Sequence, residues 1–171
     1  MRQGRNVTGF TLIEMMVTIA ILAIVATIAI PGFTQMMLSY RTSSDADMLY
    51  RALLTARSAA VDKRANVVVC PSVDNVSCGS GANLVIFVDS DGNSKVTDSS
   101  ELISVVGLNA ATSNSTAIIF NRSGAVQSTV GNQSFLICHA SSSKSVYRTV
   151  TVSLSGQVTQ TTSTYSTSCP T

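Results

Sequence analysis

The feature that most constrains this chain is an apolar run near its start. Phe10 to Ile30 is hydrophobic apart from a few small polar residues and one charge, Glu14. As a helix, 21 residues span roughly 32 Å, about one bilayer core. Arg2 and Arg5 precede the run, and basic residues on that side predict a cytoplasmic N-terminus. Two ordinary readings compete here. A cleaved secretory signal needs a small-x-small site, but Ala20, Ala23, Ala26 and Ala29 recur at every third residue, so no Ala-x-Ala appears. A plain anchor helix accounts for everything except Glu14. A carboxylate five residues into an apolar segment costs up to roughly 2.5–3.5 kcal/mol on insertion scales, and such a residue is a functional candidate by default.

Composition narrows the remaining options. The 171 residues suffice for one domain, and 12% are charged, about half the usual share. Lys plus Arg is 11 against 9 acids, a net charge of +2. That excludes a strongly basic nucleic-acid binder. With one His and no Trp, catalytic options are few. No serine elbow, phosphate loop or paired-carboxylate site is apparent, so the chain is expected to be neither an enzyme nor a cofactor protein.

The stretch Thr8-Gly9-Phe10-Thr11-Leu12-Ile13-Glu14 resembles the class III signal of type IV pilins and pseudopilins. That pattern is a short basic leader, Gly, Phe, and Glu at the fifth mature position. The resemblance implies that a prepilin peptidase cuts after Gly9 and methylates the new amine of Phe10, leaving 162 of the 171 residues. It also implies that Glu14 pairs with the N-terminal ammonium of a neighbouring subunit during assembly. Two costly charges in hydrocarbon would then relieve each other. The alanine stripe would permit close helix approach, as small residues do in membrane bundles, although composition alone explains it equally well. Pro31-Gly32 follows the run and weakens the helix, so a kink or melted turn is expected there. A proline at this place is common in such pilins.

Helical periodicity resumes beyond the kink. Ala46, Leu49, Leu53, Ala56 and Ala60 form one apolar face. One helix is expected from Phe10 to about Arg64. Strands are expected at Val67–Val69, Leu84–Val88, Leu102–Val106, Ala117–Phe120, Phe135–Cys138 and Tyr147–Leu154, with Gln157–Gln160 able to pair back. The expected fold is α+β and pilin-like: a long N-terminal helix, its first half transmembrane, packed on antiparallel sheet. The expected organisation is a cleaved leader at 1–9, a membrane and filament-core helix at 10–38, and a periplasmic head at 39–171.

The head resembles the minor pilin and pseudopilin group called GspH/FimT/FimU. The residues carrying this likeness are Ala46 to Cys70 with Ala56-Arg57, Phe87-Val88-Asp89, Glu101-Leu102-Ile103, Ile119-Phe120 with Gly124, and Val152 to Gly156. The resemblance implies a minor type IV pilin that helps prime assembly and joins tip minor pilins to the major pilin. Its implied partners are prepilin peptidase, other pilins, the inner-membrane assembly platform and the membrane. Its implied place is the inner membrane with the head in the periplasm, then the pilus. Two alternatives are a type II secretion pseudopilin and a DNA-binding minor pilin for natural transformation.

Some FimT-type pilins bind DNA through a C-terminal Gly-Arg-x-Arg motif. Here the matching stretch is Gly156-Gln157-Val158-Thr159, with neutral residues at both arginine positions. The region from Leu102 to Thr171 has no acid and carries Arg122, Lys144 and Arg148, the only candidate DNA contacts. Three dispersed cations give only weak, salt-sensitive affinity.

Four cysteines with a membrane-targeting start imply two disulfides. Three connectivities exist; locality favours Cys70–Cys78 and Cys138–Cys169. No Cys-x-x-Cys spacing supports zinc. Asp89-x-Asp91-Gly92-Asn93 has calcium-like spacing, but an EF loop needs Gly at position 6 and Glu at position 12. Counted from Asp89, Gly stands fourth, Ser100 twelfth and Glu101 thirteenth, so the segment reads as a hairpin turn and no metal is expected. His139 beside Cys138 points to the opposite strand face, which argues against a nucleophile pair.

Overall fold

The computed structural model describes residues 10–79, 81, 83–108, 117–128, 131–140, 145–166 and 168–169. The elements are α1 (Leu12–Lys63), β1 (Val67–Ser72), β2 (Asn83–Val88), β3 (Leu102–Gly107), β4 (Ile118–Phe120), β5 (Gln133–Ala140), β6 (Ser145–Val152), β7 (Val158–Gln160) and β8 (Thr164–Ser166). The chain divides into two compact units, one ending at Met37 and one from Leu38 onward. The long helix on antiparallel sheets is the α+β arrangement expected.

In the first unit most of the described side chains of α1 are exposed. From Leu12 to Met37 it rises about 39 Å at 1.5 Å per residue. Helical structure runs unbroken through Pro31 and Gly32, so no turn melts there. Proline removes one amide donor, and a long helix tolerates that single loss.

In the second unit α1 lays its apolar stripe on two sheets. Ala46, Leu49, Leu53, Ala56 and Ala60 are fully buried, as the spacing predicts. The first sheet has the order β3-β2-β1-β4 and the second β5-β6-β7, with β8 also pairing β6. All pairings are antiparallel, and β5 and β6 match over eight residues from Gln133↔Val152 to Ala140↔Ser145. Strand alternation decides what meets the helix. Val67 and Val69 of β1, Leu84 and Ile86 of β2, and Phe135 and Ile137 of β5 join the helix stripe in one core. Val68, Cys70, Val85 and Phe87 form a second cluster on the other face of the first sheet. Strand β1 is thus buried along its whole length, which explains its unbroken apolar run. Burial of this kind supplies about 25 cal/mol per Å² of apolar surface.

The end of α1 is set by its cap. Arg64 adopts φ 52°, and its N–H donates to the Val61 carbonyl at 3.4 Å. The Ala65 N–H reaches back to the Ala60 carbonyl at 3.3 Å. This pair of bonds is a Schellman cap with arginine where glycine is usual.

Candidate functional site

The N-terminal helix carries Glu14, the residue the sequence singles out. Thr11 caps it: the Thr11 hydroxyl accepts the Glu14 N–H at 3.3 Å, and the Thr11 carbonyl accepts the Met15 N–H at 3.2 Å. Glu14 stands in the first turn, where a carboxylate complements the helix dipole. The side chains from Phe10 to Val17 are exposed, Phe10 at 76%. The two further threonine hydroxyls within the run are satisfied inside the helix. Thr18 donates to the Met15 carbonyl at 2.9 Å and Thr27 to the Ile24 carbonyl at 2.7 Å. A helix whose backbone and hydroxyls are satisfied internally, with an apolar exterior, suits a bilayer or a filament core. By length and composition α1 is the one described helix able to cross a membrane, with an 18-residue window of mean hydropathy 2.5. Gly9 lies outside the described residues.

In the head, α1 is fixed to the sheets by polar contacts as well as apolar ones. Phe135, Ile137 and His139 share the helix-facing side of β5. His139 Nε2 lies 2.8 Å from Oδ2 of Asp45, which is fully buried. One turn earlier, the Thr42 hydroxyl bonds the Val146 carbonyl of β6 at 3.2 Å. Cys138 faces the other way, and its sulfur is bonded to Cys169 with a Cα–Cα distance of 5.8 Å. His139 is therefore a packing residue, and Cys138 holds the segment after β8. The second bond joins Cys70 to Cys78. Within that short loop Asp74 accepts the Ser77 and Val76 amides and the Ser77 and Ser72 hydroxyls. Those bonds, led by the Ser77 amide, hold its carboxyl well below the usual carboxylate range.

Arg57 gives a third tether. Its Nε donates to the Gly124 carbonyl at 3.1 Å, and its Nη2 to the Ser155 carbonyl at 3.3 Å. Gly124 and Gly156 both have φ +77°, and a Cβ on Gly156 would collide with the Gly124 carbonyl oxygen. Two turns from different sheets therefore meet backbone to backbone under one guanidinium. This explains why Arg57, Gly124 and Gly156 stand at wide intervals in the sequence. The signal available was an arginine on the rim of the helix stripe and a glycine in each turn; neither predicts their contact.

Two of the three candidate DNA contacts lie on separate elements. Arg122 is exposed in the turn after β4, in the first sheet, whereas Arg148 lies on β6 in the second, its Nε donating to Ser163 at 2.9 Å. Lys144 lies outside the described residues. Gln157 and Thr159 are exposed where the DNA-binding motif has arginines. Sequence reasoning also missed β8, whose three residues Thr164–Ser166 are too short to show a period.

The comparisons with known proteins agree with this geometry. The family model described as Type II transport protein GspH matches residues 45–156, more than half of the chain. The prokaryotic N-terminal methylation motif matches residues 4–30. No curated protein matches the chain. In fold it is similar to the type IV minor pilin FimU of Pseudomonas aeruginosa strain PAO1, in two crystal forms. The TM-scores are 0.51 and 0.52 at 20% identity, covering 69% and 70% of this chain and 86% and 91% of that one. The helix packed on antiparallel sheets, the methylation motif and the matched head together show that the chain belongs to the GspH family, a pilin-like protein of the type IV minor pilin and pseudopilin kind.

Proposed function

We propose that this chain is a minor type IV pilin that helps prime pilus assembly and joins tip minor pilins to the major pilin. The observation carrying this reading is the first unit: an exposed apolar helix whose only charge is Glu14, directly after the Gly9-Phe10 junction. Prepilin peptidase would cut after Gly9 and methylate the Phe10 amine. Glu14 would then pair with that amine on an adjacent subunit, and hydrocarbon strengthens such pairing because each lone charge is costly there. The protein would sit in the inner membrane with its head in the periplasm until the assembly platform moves it into the fibre. The head supplies partner choice through surfaces held by Arg57, Asp45 and the two disulfides.

The description of the matching family model supports a second reading, a pseudopilin of type II secretion. Deletion of the gene separates the two. Loss of surface pili and twitching, restored by the wild-type chain, supports the pilin reading. Loss of exoprotein secretion with pili intact would overturn it.

A further inference from the structure

The turn after β2 holds a group that packing leaves without a partner. Asp89 follows β2 directly and is 6% exposed. Its N–H donates to the Asn66 carbonyl at 2.9 Å, and its Oδ2 accepts the Ser94 N–H at 3.3 Å. Its Oδ1 is buried with no hydrogen-bond partner. Among the described residues no Lys or Arg side chain forms a salt bridge with Asp89. A buried carboxylate oxygen without donor or cation is unfavourable. Because Oδ2 reaches Ser94 across the turn, the carboxylate faces the inside of that loop.

Other oxygens follow it along the turn. Asp91 and Asn93 follow at alternate positions, and the next acceptor in the series is the Lys95 carbonyl. Calcium loops draw ligands from positions 1, 3, 5 and 7 in this way. They also turn sharply at position six, usually with glycine. Ser94 occupies that position with φ 56°, so the missing glycine does not prevent the turn. Asp91 and Asn93 now bond each other, and Asn93 Oδ1 accepts the Lys95 N–H at 2.7 Å. These contacts are exposed and can exchange for a cation without disturbing the core. Glu101 stands thirteenth and is held by the Thr97 and Asp98 amides, so the bidentate twelfth ligand of a full EF loop is lacking. No cluster of three His, Cys, Asp or Glu side chains occurs among the described residues. The donor set therefore depends on the Asn93 amide oxygen and the Lys95 carbonyl besides the two aspartates.

We propose that the 89–95 turn binds a calcium-type divalent cation, with Asp89 Oδ1 as its buried anchor. Two carboxylates without the glutamate give an affinity of about 10⁻⁴–10⁻³ M, the range of extracellular calcium modules. This site does not depend on the pilus reading. The test is isothermal titration calorimetry of the full chain in detergent micelles with CaCl2, against MgCl2 and NaCl at matched ionic strength. The expected result is one saturable calcium site in that range and no saturable magnesium site. Asp89→Asn should abolish binding, and Asp91→Ala should weaken it at least about tenfold through loss of one charged ligand. Asp91 is exposed, so that variant serves if Asp89→Asn does not fold. No saturable calcium binding by the wild-type chain, unchanged affinity in Asp91→Ala, or equal affinity for magnesium would overturn the proposal.

Discussion

Replacing Gly156 by alanine tests how the turns of the head are locked to α1. Two costs combine there. The residue sits at φ +77°, a left-handed conformation that costs a residue with a side chain about 1–2 kcal/mol. In addition, the new Cβ would overlap the Gly124 carbonyl oxygen and fall 3.0 Å from Arg57 Nε. That oxygen belongs to backbone, so the two turns must separate and the Arg57 bonds to Gly124 and Ser155 must lengthen. Overpacking of this kind costs about 1–3 kcal/mol. Each hydrogen bond to a charged donor that is lost costs about 1.5 kcal/mol or more. Gly131→Ala is the control, because Gly131 has φ +93° and its added Cβ would meet nothing within 4 Å, so only the backbone cost applies. The expected destabilisation is about 3–6 kcal/mol for Gly156→Ala and about 1–2 kcal/mol for Gly131→Ala. Urea unfolding of the chain in mild detergent, followed by near-ultraviolet circular dichroism, measures both midpoints. Equal shifts for the two variants would refute the contact between the turns.

Other parts of the head give further expectations. Arg64→Gly relieves the left-handed strain at the Schellman cap and should stabilise the head by up to about 1 kcal/mol, seen as a higher urea midpoint with unchanged slope. Replacing Cys138 and Cys169 together by serine opens the longer loop and should cost about 2–4 kcal/mol, with near-native circular dichroism before unfolding. The depressed carboxyl of Asp74 has a direct pH consequence. A carboxyl held lower in the folded state contributes stability above its ordinary value of 3.8, and that contribution fades as pH falls below it. Asp74→Asn should therefore flatten the fall in stability below about pH 4, read by thermal melts across a pH series. Titration of the chain with duplex DNA over a salt series should show only weak binding lost as salt rises, since the cations from Leu102 onward are three and Gln157 and Thr159 are neutral. Tight binding abolished by substitution of Arg122 and Arg148 would favour DNA uptake instead.

Much of the architecture follows from short-range signals. The helix was legible because its apolar residues repeat at three and four, from Ala46 through Ala60, and because the membrane segment has an unmistakable composition. The strands around Val67, Leu84, Leu102 and Ile118 were legible as β-branched runs ending in turn residues. What stayed hidden depends on contacts between distant residues. Nothing local shows that Asp45 faces His139, although the parity of β5 places His139 on the same side as Ile137. Nothing local brings Gly124 against Gly156 either, because their meeting depends on how two sheets share one helix. Pro31 weakens the helix by local rules alone, yet helical structure continues through it. The calcium-like spacing at Asp89 was visible in the sequence. The unpartnered oxygen that gives it meaning was not, since burial of Asp89 is decided only by the folded surroundings of the turn.

The central claim is that Glu14 on an exposed apolar helix takes this chain into a filament. The most direct measurement is the amount of the epitope-tagged chain in sheared surface pili relative to the membrane fraction, for the wild type and Glu14→Ala. The account predicts wild-type chain in the sheared fraction and Glu14→Ala retained in the membrane, processed but at least about tenfold depleted from pili, as loss of a charge pair in hydrocarbon implies. Equal recovery of both chains in sheared pili would contradict it.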